Sequence, residues 1–342
     1  MPPQRKKSCL ALPPNRGESI SLRLDRWRLH GLQSREPDDS RGSQTLRRPG
    51  QRGRSGGHTR PRPSNDALRP GRLNGWICGL GLIIFSALSV APAHADCNAE
   101  PASGINWAGC DKSGAELAEA DLSNTLMRRI NFTGAQLQDA NLERAVVTNA
   151  SLDGADLSGA NLRRADFGAS RLARVRFVGA NLENARFVSS GMPEVDFTEA
   201  NLRGGRLDSA DLTAARFTGA DLGDTSFYNA RLRGAEFSKV TAPNASFSRA
   251  NMEGARLRDA DLSDANLEHV NLENADLRGA NLRGANLDSA ALAGADFTGA
   301  NLERADLRNA SIRGTVFDDA KLGNATWVDR SHCRPRSVGE CG

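Results

Sequence analysis

Three kinds of side chain in this chain could do chemistry: cysteine, histidine and carboxylate. Beyond residue 95 the cysteines are Cys97, Cys110, Cys333 and Cys341, and the histidines are His269 and His332. Four thiolates could hold zinc, but cysteine-based zinc sites use close CxxC pairs, and none occurs. In an oxidising compartment an even set of cysteines reads as disulfides instead. Two histidines far apart in the sequence give no Ser/His/Asp constellation and no general base beside a nucleophile. The glycines form no phosphate-cradling loop, and the Gly/Asp nonapeptides of calcium-binding solenoids are absent. Carboxylates are plentiful, but they recur at a fixed period, as solvated faces do. No catalytic residue, metal site or cofactor is expected.

That period is the strongest signal in the chain. From Leu117 to Trp327 every fifth residue is apolar, 43 consecutive positions with Ala242 the weakest, and two residues before each stands a small residue, alanine in 32 cases. On an α-helix five residues advance about 500°, so these leucines would never form one face. A long strand needs strict alternation, which two-then-three spacing breaks at every unit. Each unit is therefore a short extended piece followed by a corner. The small residue and the central Leu or Phe point inward, and the residue between them and the two after point outward. Gly, Asn, Asp, Ser and Arg at those last two places suit a tight exposed turn.

Four such sides close a coil of 20 residues, and coils stack about 4.8 Å apart. Ten of the eleven phenylalanines in the array fall on every second side, Phe132 being the exception, which an even-sided coil allows and a triangular one does not. Steps of 20 give Asp156, Arg176, Asp196, Arg216, Glu236, Arg256 and Asp276, alternating in sign, and stacked opposite charges attract. Another side reads Asn141, Asn161, Asn181, Asn201, an amide ladder. The expectation is an all-β rod of about 10 to 11 coils, roughly 50 Å long. A solenoid exposes core and strand edges at both ends. Trp107 and Trp327, in phase with the central position, are candidate lids, and Lys112 interrupts the phase beside the first. Because the ends of such a rod lie far apart, local pairs Cys97–Cys110 and Cys333–Cys341 are the favoured connectivity.

The tandem A(D/N)LXX units, such as Ala155-Asp156-Leu157-Ser158-Gly159, resemble those of pentapeptide-repeat proteins over residues 115 to 329. The resemblance implies a right-handed quadrilateral β-helix, and the flanking cysteines resemble those of exported members. Departures occur at Leu126, Val146, Gly191-Met192-Pro193 and Thr241-Ala242-Pro243. Pro193 and Pro243 fall at corners, where a missing N–H matters least, and locally bulged corners are expected there. Some cytoplasmic members of the family mimic DNA and bind type II topoisomerases, giving protection from quinolones.

The chain has 342 residues, only 5% aromatic, with 34 glycines and a net charge of +4. Residues 1 to 95 carry 17 basic and 6 acidic groups, and the remainder 28 and 35, so +11 is joined to −7. Residues 1–75, rich in Arg, Pro, Gly and Ser, read as a disordered basic extension. Arg69 and Arg72, the apolar run Trp76 to Val90 and Ala93-His94-Ala95 before Asp96 together describe a secretory signal peptide cleaved after Ala95. A retained anchor through 76–90 is the alternative. Since signal peptides begin near the initiator, the true start is expected near Leu68 or Leu73, and peptides from residues 1 to 60 in the native protein would refute that. Residues 96–114 and 330–342 read as the N- and C-terminal caps.

These features lead to an exported, non-enzymatic rod whose faces act as a structural or protein-interaction surface in the cell envelope. The expected partner is another protein, with no nucleic acid, with membrane contact only through the signal or anchor segment, and with end-to-end homodimers left open. The other reading, a cytoplasmic DNA mimic binding a type II topoisomerase, sits badly with arginines at Arg171, Arg176, Arg186, Arg206, Arg216, Arg231 and Arg256 in the outward position.

Overall fold

The computed structural model describes residues 94–342. The extension 1–75 and the run 76–90 lie outside the described residues. Those that are described form a right-handed quadrilateral β-helix, and among them no helix is long and apolar enough to cross a membrane.

The twenty-residue coil is borne out along the whole array. Parallel bridges join each outward residue to the one 20 further on, as in Asp156↔Arg176 and Asn161↔Asn181, from Asn106↔Leu126 to Asp306↔Thr326. The four sides are named here by these columns: the first carries Asn141 and Asn161, the second Val146 and Asp166, the third Ser151 and Arg171, the fourth Asp156 and Arg176.

Each pentad disposes of its backbone N–H groups in one way. In the unit around Leu157, Asp156 N–H donates back one coil to Ala135 (3.0 Å), Leu157 N–H forward to Arg176 (2.8 Å) and Gly159 N–H forward to Val178 (2.9 Å). The next small residue closes the corner, Ala160 N–H reaching the Leu157 carbonyl at 3.2 Å. The fifth N–H, on the residue just after the central one, meets no backbone carbonyl within the array. An Asp or Asn two residues earlier accepts it through its side chain, as Asp156 Oδ1 does from Ser158 N–H at 3.0 Å. This is the Asx turn, and it is the physical reason the repeat prefers Asp and Asn in that place.

The prolines sit on this fifth N–H, which corrects one expectation. Pro193 and Pro243 produce no bulge: Arg174 N–H reaches the Pro193 carbonyl and Asp224 N–H the Pro243 carbonyl, each at 3.0 Å, and the corners keep the common geometry. Two residues before them stand Gly191 and Thr241 rather than Asp or Asn, so no Asx bond is forfeited. The residue after each, Glu194 (φ 58°) or Asn244 (φ 57°), is left-handed, as is the second corner residue of every pentad from Gly104 to Asn324.

Inside, the central residues fill the square and the small residues let the walls close in. The aromatics form two facing columns. Phe167 stacks on Phe187 (5.0 Å) and Phe227 on Phe247 (4.8 Å) along the second side, with Phe177, Phe197, Phe217 and Phe237 stacked along the fourth. Across the interior the columns meet edge to face, Phe167 to Phe177 at 6.1 Å and 73°. Buried hydroxyls replace alanine without orphaning a proton: Ser170 and Ser190 donate to the carbonyls of Val147 and Phe167, both at 2.8 Å.

Both ends are closed. Asp96 N–H pairs with the Asn106 carbonyl at 3.1 Å, and Cys97 is bonded to Cys110, Cα–Cα 5.4 Å. At the other end the tail turns back antiparallel, with bridges Thr326↔His332 and Lys321↔Val338, and Cys333 is bonded to Cys341. The described core runs from Trp107 to Cys333, so the chain from Asp96 onward carries its own interior and both closures and folds as a unit.

Candidate functional site

Among the described residues the features that could act on another molecule are the outward columns and the two closed ends. Among the described residues no group of His, Cys, Asp or Glu could hold a metal ion. His269 lies at a left-handed corner with Nε2 3.6 Å from Glu268, and His332 lies in the tail beside Thr326; the two do not converge.

The fourth side stacks in the anticipated register, with Asp156, Arg176, Asp196, Arg216, Glu236, Arg256 and Asp276 bridged in turn. Their charges, however, do not form a continuous ladder. Arg176 reaches Asp156 at 3.5 Å and Arg256 reaches Glu236 at 3.6 Å. Arg216 has no ion pair; Asp196 below it is already engaged by Thr198 N–H at 3.0 Å and the Thr198 hydroxyl at 2.5 Å. Asp276 turns to Arg278 and to Arg258 rather than to Arg256. The Asx turn holds each carboxylate close to the backbone, while the guanidinium on its long stem chooses among several acids. On the first side the amide ladder is likewise short: Asn161 Nδ2 donates to Asn141 and Asn141 to Asp121, each at 3.0 Å.

Every carboxylate with a resolved shift is pushed down. Arg278, donating at 2.7 and 2.6 Å, holds Asp276 at about 2 against the cost of partial burial. The N–H and hydroxyl of Ser113 lower Asp111, and the hydroxyl and N–H of Ser123 lower Asp121. At Asp156 partial burial works upward, but the Ser158 hydroxyl and N–H outweigh it. The Asn309 amide lowers Asp288, and Ser331 lowers Asp329. These groups are fixed anions, poor proton carriers near neutrality.

At the ends, Ala95 and Asp96 are exposed. Trp107 is fully buried, and the residue that breaks the period covers it: Lys112 Nζ lies 4.2 Å above the indole ring, a cation–π contact. Trp327 is only partly buried and packs on Phe317 at 5.3 Å. The sequence pattern did not signal the ion pairs that cross columns, such as Arg171 with Asp153 at 2.7 Å and Arg203 with Asp224 at 3.2 Å. It could have suggested them only as acid and arginine lying one coil and two or so residues apart.

Comparison with known proteins adds a family. The model described as pentapeptide repeats (8 copies) matches in overlapping stretches from residue 103 to residue 326. Among solved structures, HetL, a pentapeptide repeat protein involved in heterocyst differentiation regulation from the cyanobacterium Nostoc sp. strain PCC 7120, is 29% identical, covers 67% of this chain and 92% of its own, and has a TM-score of 0.39. A pentapeptide repeat protein from the Arabidopsis thaliana thylakoid lumen is 26% identical over 33% of this chain and 83% of its own, TM-score 0.29. QnrB1, a plasmid-mediated fluoroquinolone resistance protein, is 19% identical over 57% and 88%, TM-score 0.27. No curated protein matches the chain.

Proposed function

Because the chain belongs to the pentapeptide-repeat family, we propose that it is an exported, non-catalytic rod that serves as a structural or protein-interaction scaffold in the cell envelope. The observation that carries the assignment is the pair of disulfides, Cys97–Cys110 and Cys333–Cys341, one at each end of an array that contains no other cysteine. Disulfides that hold end caps persist in oxidising compartments, and the sequence before Asp96 reads as a signal peptide. Fixed, depressed carboxylates and unconverged histidines support a binding surface over an enzyme. A DNA mimic needs a continuous acidic face, whereas arginines interrupt the acids on the fourth side at Arg176, Arg216 and Arg256.

Fractionating cells that express the full chain, followed by N-terminal sequencing, tests the reading. A product beginning at Asp96 in the envelope or medium is the expected result. An uncleaved product confined to the cytoplasm would overturn it and favour the topoisomerase-binding alternative.

A further inference from the structure

A patch of unusual polarity lies on the second side of the first coils. The outward column position is polar or charged almost throughout, yet in two successive coils it is Leu126 and Val146, bridged to one another. Leu126 is 44% exposed, and Val146 is half-buried. The fold does not require either: their N–H groups join the ladder as any residue's would, to Ile105 at 3.0 Å and Thr125 at 2.9 Å. Arg128 and Arg129 stand at the corner on one edge, Arg144, Arg163 and Arg164 at the corner on the other, and Arg186 further along the same side. The carboxylates among them are Glu143, Glu183 and Asp166, lying 3.9 Å from Arg144, 3.2 Å from Arg163 and 3.8 Å from Arg186. Arg128, Arg129 and Arg164 are exposed and have no ion pair. Positive charge thus gathers around an exposed leucine and a half-buried valine, on a product whose net charge from residue 96 is −7.

Arginines ringing a small aliphatic patch match an anionic lipid interface, where guanidiniums meet phosphates and short apolar groups enter the headgroup boundary. A protein partner is less well served, since the patch has no aromatic anchor and its apolar part is two side chains. We propose that this surface docks on the anionic phospholipid headgroups of a bilayer, with Leu126 and Val146 at the interface and Arg128, Arg129 and Arg164 on phosphate oxygens. The physiological setting rests on the envelope assignment above, but the surface can be tested apart from it.

The product beginning at Asp96 is sedimented with vesicles of phosphatidylcholine alone and of phosphatidylcholine mixed with phosphatidylglycerol. Binding to the mixed vesicles only, weakening as salt is added, is expected. Arg128→Gln with Arg129→Gln and Arg164→Gln should lower partitioning about a hundredfold, and Leu126→Ser with Val146→Ser about tenfold. Arg216→Gln with Arg313→Gln, unpaired arginines elsewhere on the rod, should leave it nearly unchanged. Matching thermal melts show that all variants are folded, since every substituted position is outward. No binding to the mixed vesicles, or an equal loss in the control variant, overturns the proposal. Retention on immobilised polyglutamate without vesicle binding also overturns it and gives the patch to an acidic protein. Specific vesicle binding by a protein found only in cytoplasm would keep this surface and refute the export assignment.

Discussion

Single side chains in this protein act according to which way they face. Leu157 is fully buried in a narrow interior, so Leu157→Asp strands a charge with no partner and should cost more than about 4 kcal/mol, enough to abolish cooperative unfolding in a denaturant titration. Outward charges matter far less. Sign alternation alone suggests that Arg216→Glu would be costly, but Arg216 has no ion pair, so the loss should be below about 1 kcal/mol and should shrink with salt. Thermal melts at low and high salt check it. Asp276 is the stronger case. Its folded pKa of about 2 lies below the ordinary aspartate value of 3.8, so its contribution is full above the latter and is lost as pH falls through the former. Asp276→Asn should therefore remove part of the acid sensitivity between those two values, by no more than about 2 kcal/mol, read from unfolding at stepped pH. The column register was legible in the sequence because bridge spacing is fixed by the backbone. The choice of ion-pair partner was not, because an arginine stem reaches several acids at similar cost.

At the scale of the pentad, the five N–H groups are unequal, and that inequality predicts where substitutions are tolerated. Thr213 N–H donates only to Asp211 Oδ1, at 3.2 Å. Thr213→Pro should cost less than about 1 kcal/mol. Its neighbour Ala214 has φ 56° and donates to the Arg233 carbonyl at 3.0 Å, so Ala214→Pro should cost several times more. Ala214→Gly should be neutral or stabilising by up to about 1 kcal/mol, since relief of the left-handed conformation competes with the entropy of glycine. Denaturant midpoints of the three variants order the effects. The sequence showed the corner and its exposed residues, and it placed Pro193 and Pro243 there. It did not show that this corner N–H stands outside the backbone ladder in every coil, and hence that proline would fit without a bulge.

For the molecule as a whole, stability is a sum over neighbouring coils, and the closures decide where unfolding begins. Replacing Cys97 and Cys110 with serine should destabilise the first coil by about 3 kcal/mol. Hydrogen exchange would then quicken around Trp107 and Leu117 while the Phe177–Phe237 column stays protected, and the Trp107 emission would shift to the red. Uniform loss of protection would contradict this. Architecture was readable because 43 repeats of one pattern leave few alternatives. The ends were readable only in their disulfides, Cys97–Cys110 and Cys333–Cys341, because aperiodic segments carry no such redundancy: neither the antiparallel return of the tail nor the seating of Lys112 over Trp107 follows from the period. The coil itself also sets the terms on which this gene can change length. Gain or loss of twenty residues adds or removes one storey and leaves each column intact. Gain or loss of five turns everything downstream through a right angle, carrying the acids and arginines of the fourth side onto the first or the third and pairing phenylalanine columns with walls built for leucine. Length variants that keep their surfaces should therefore differ by whole coils.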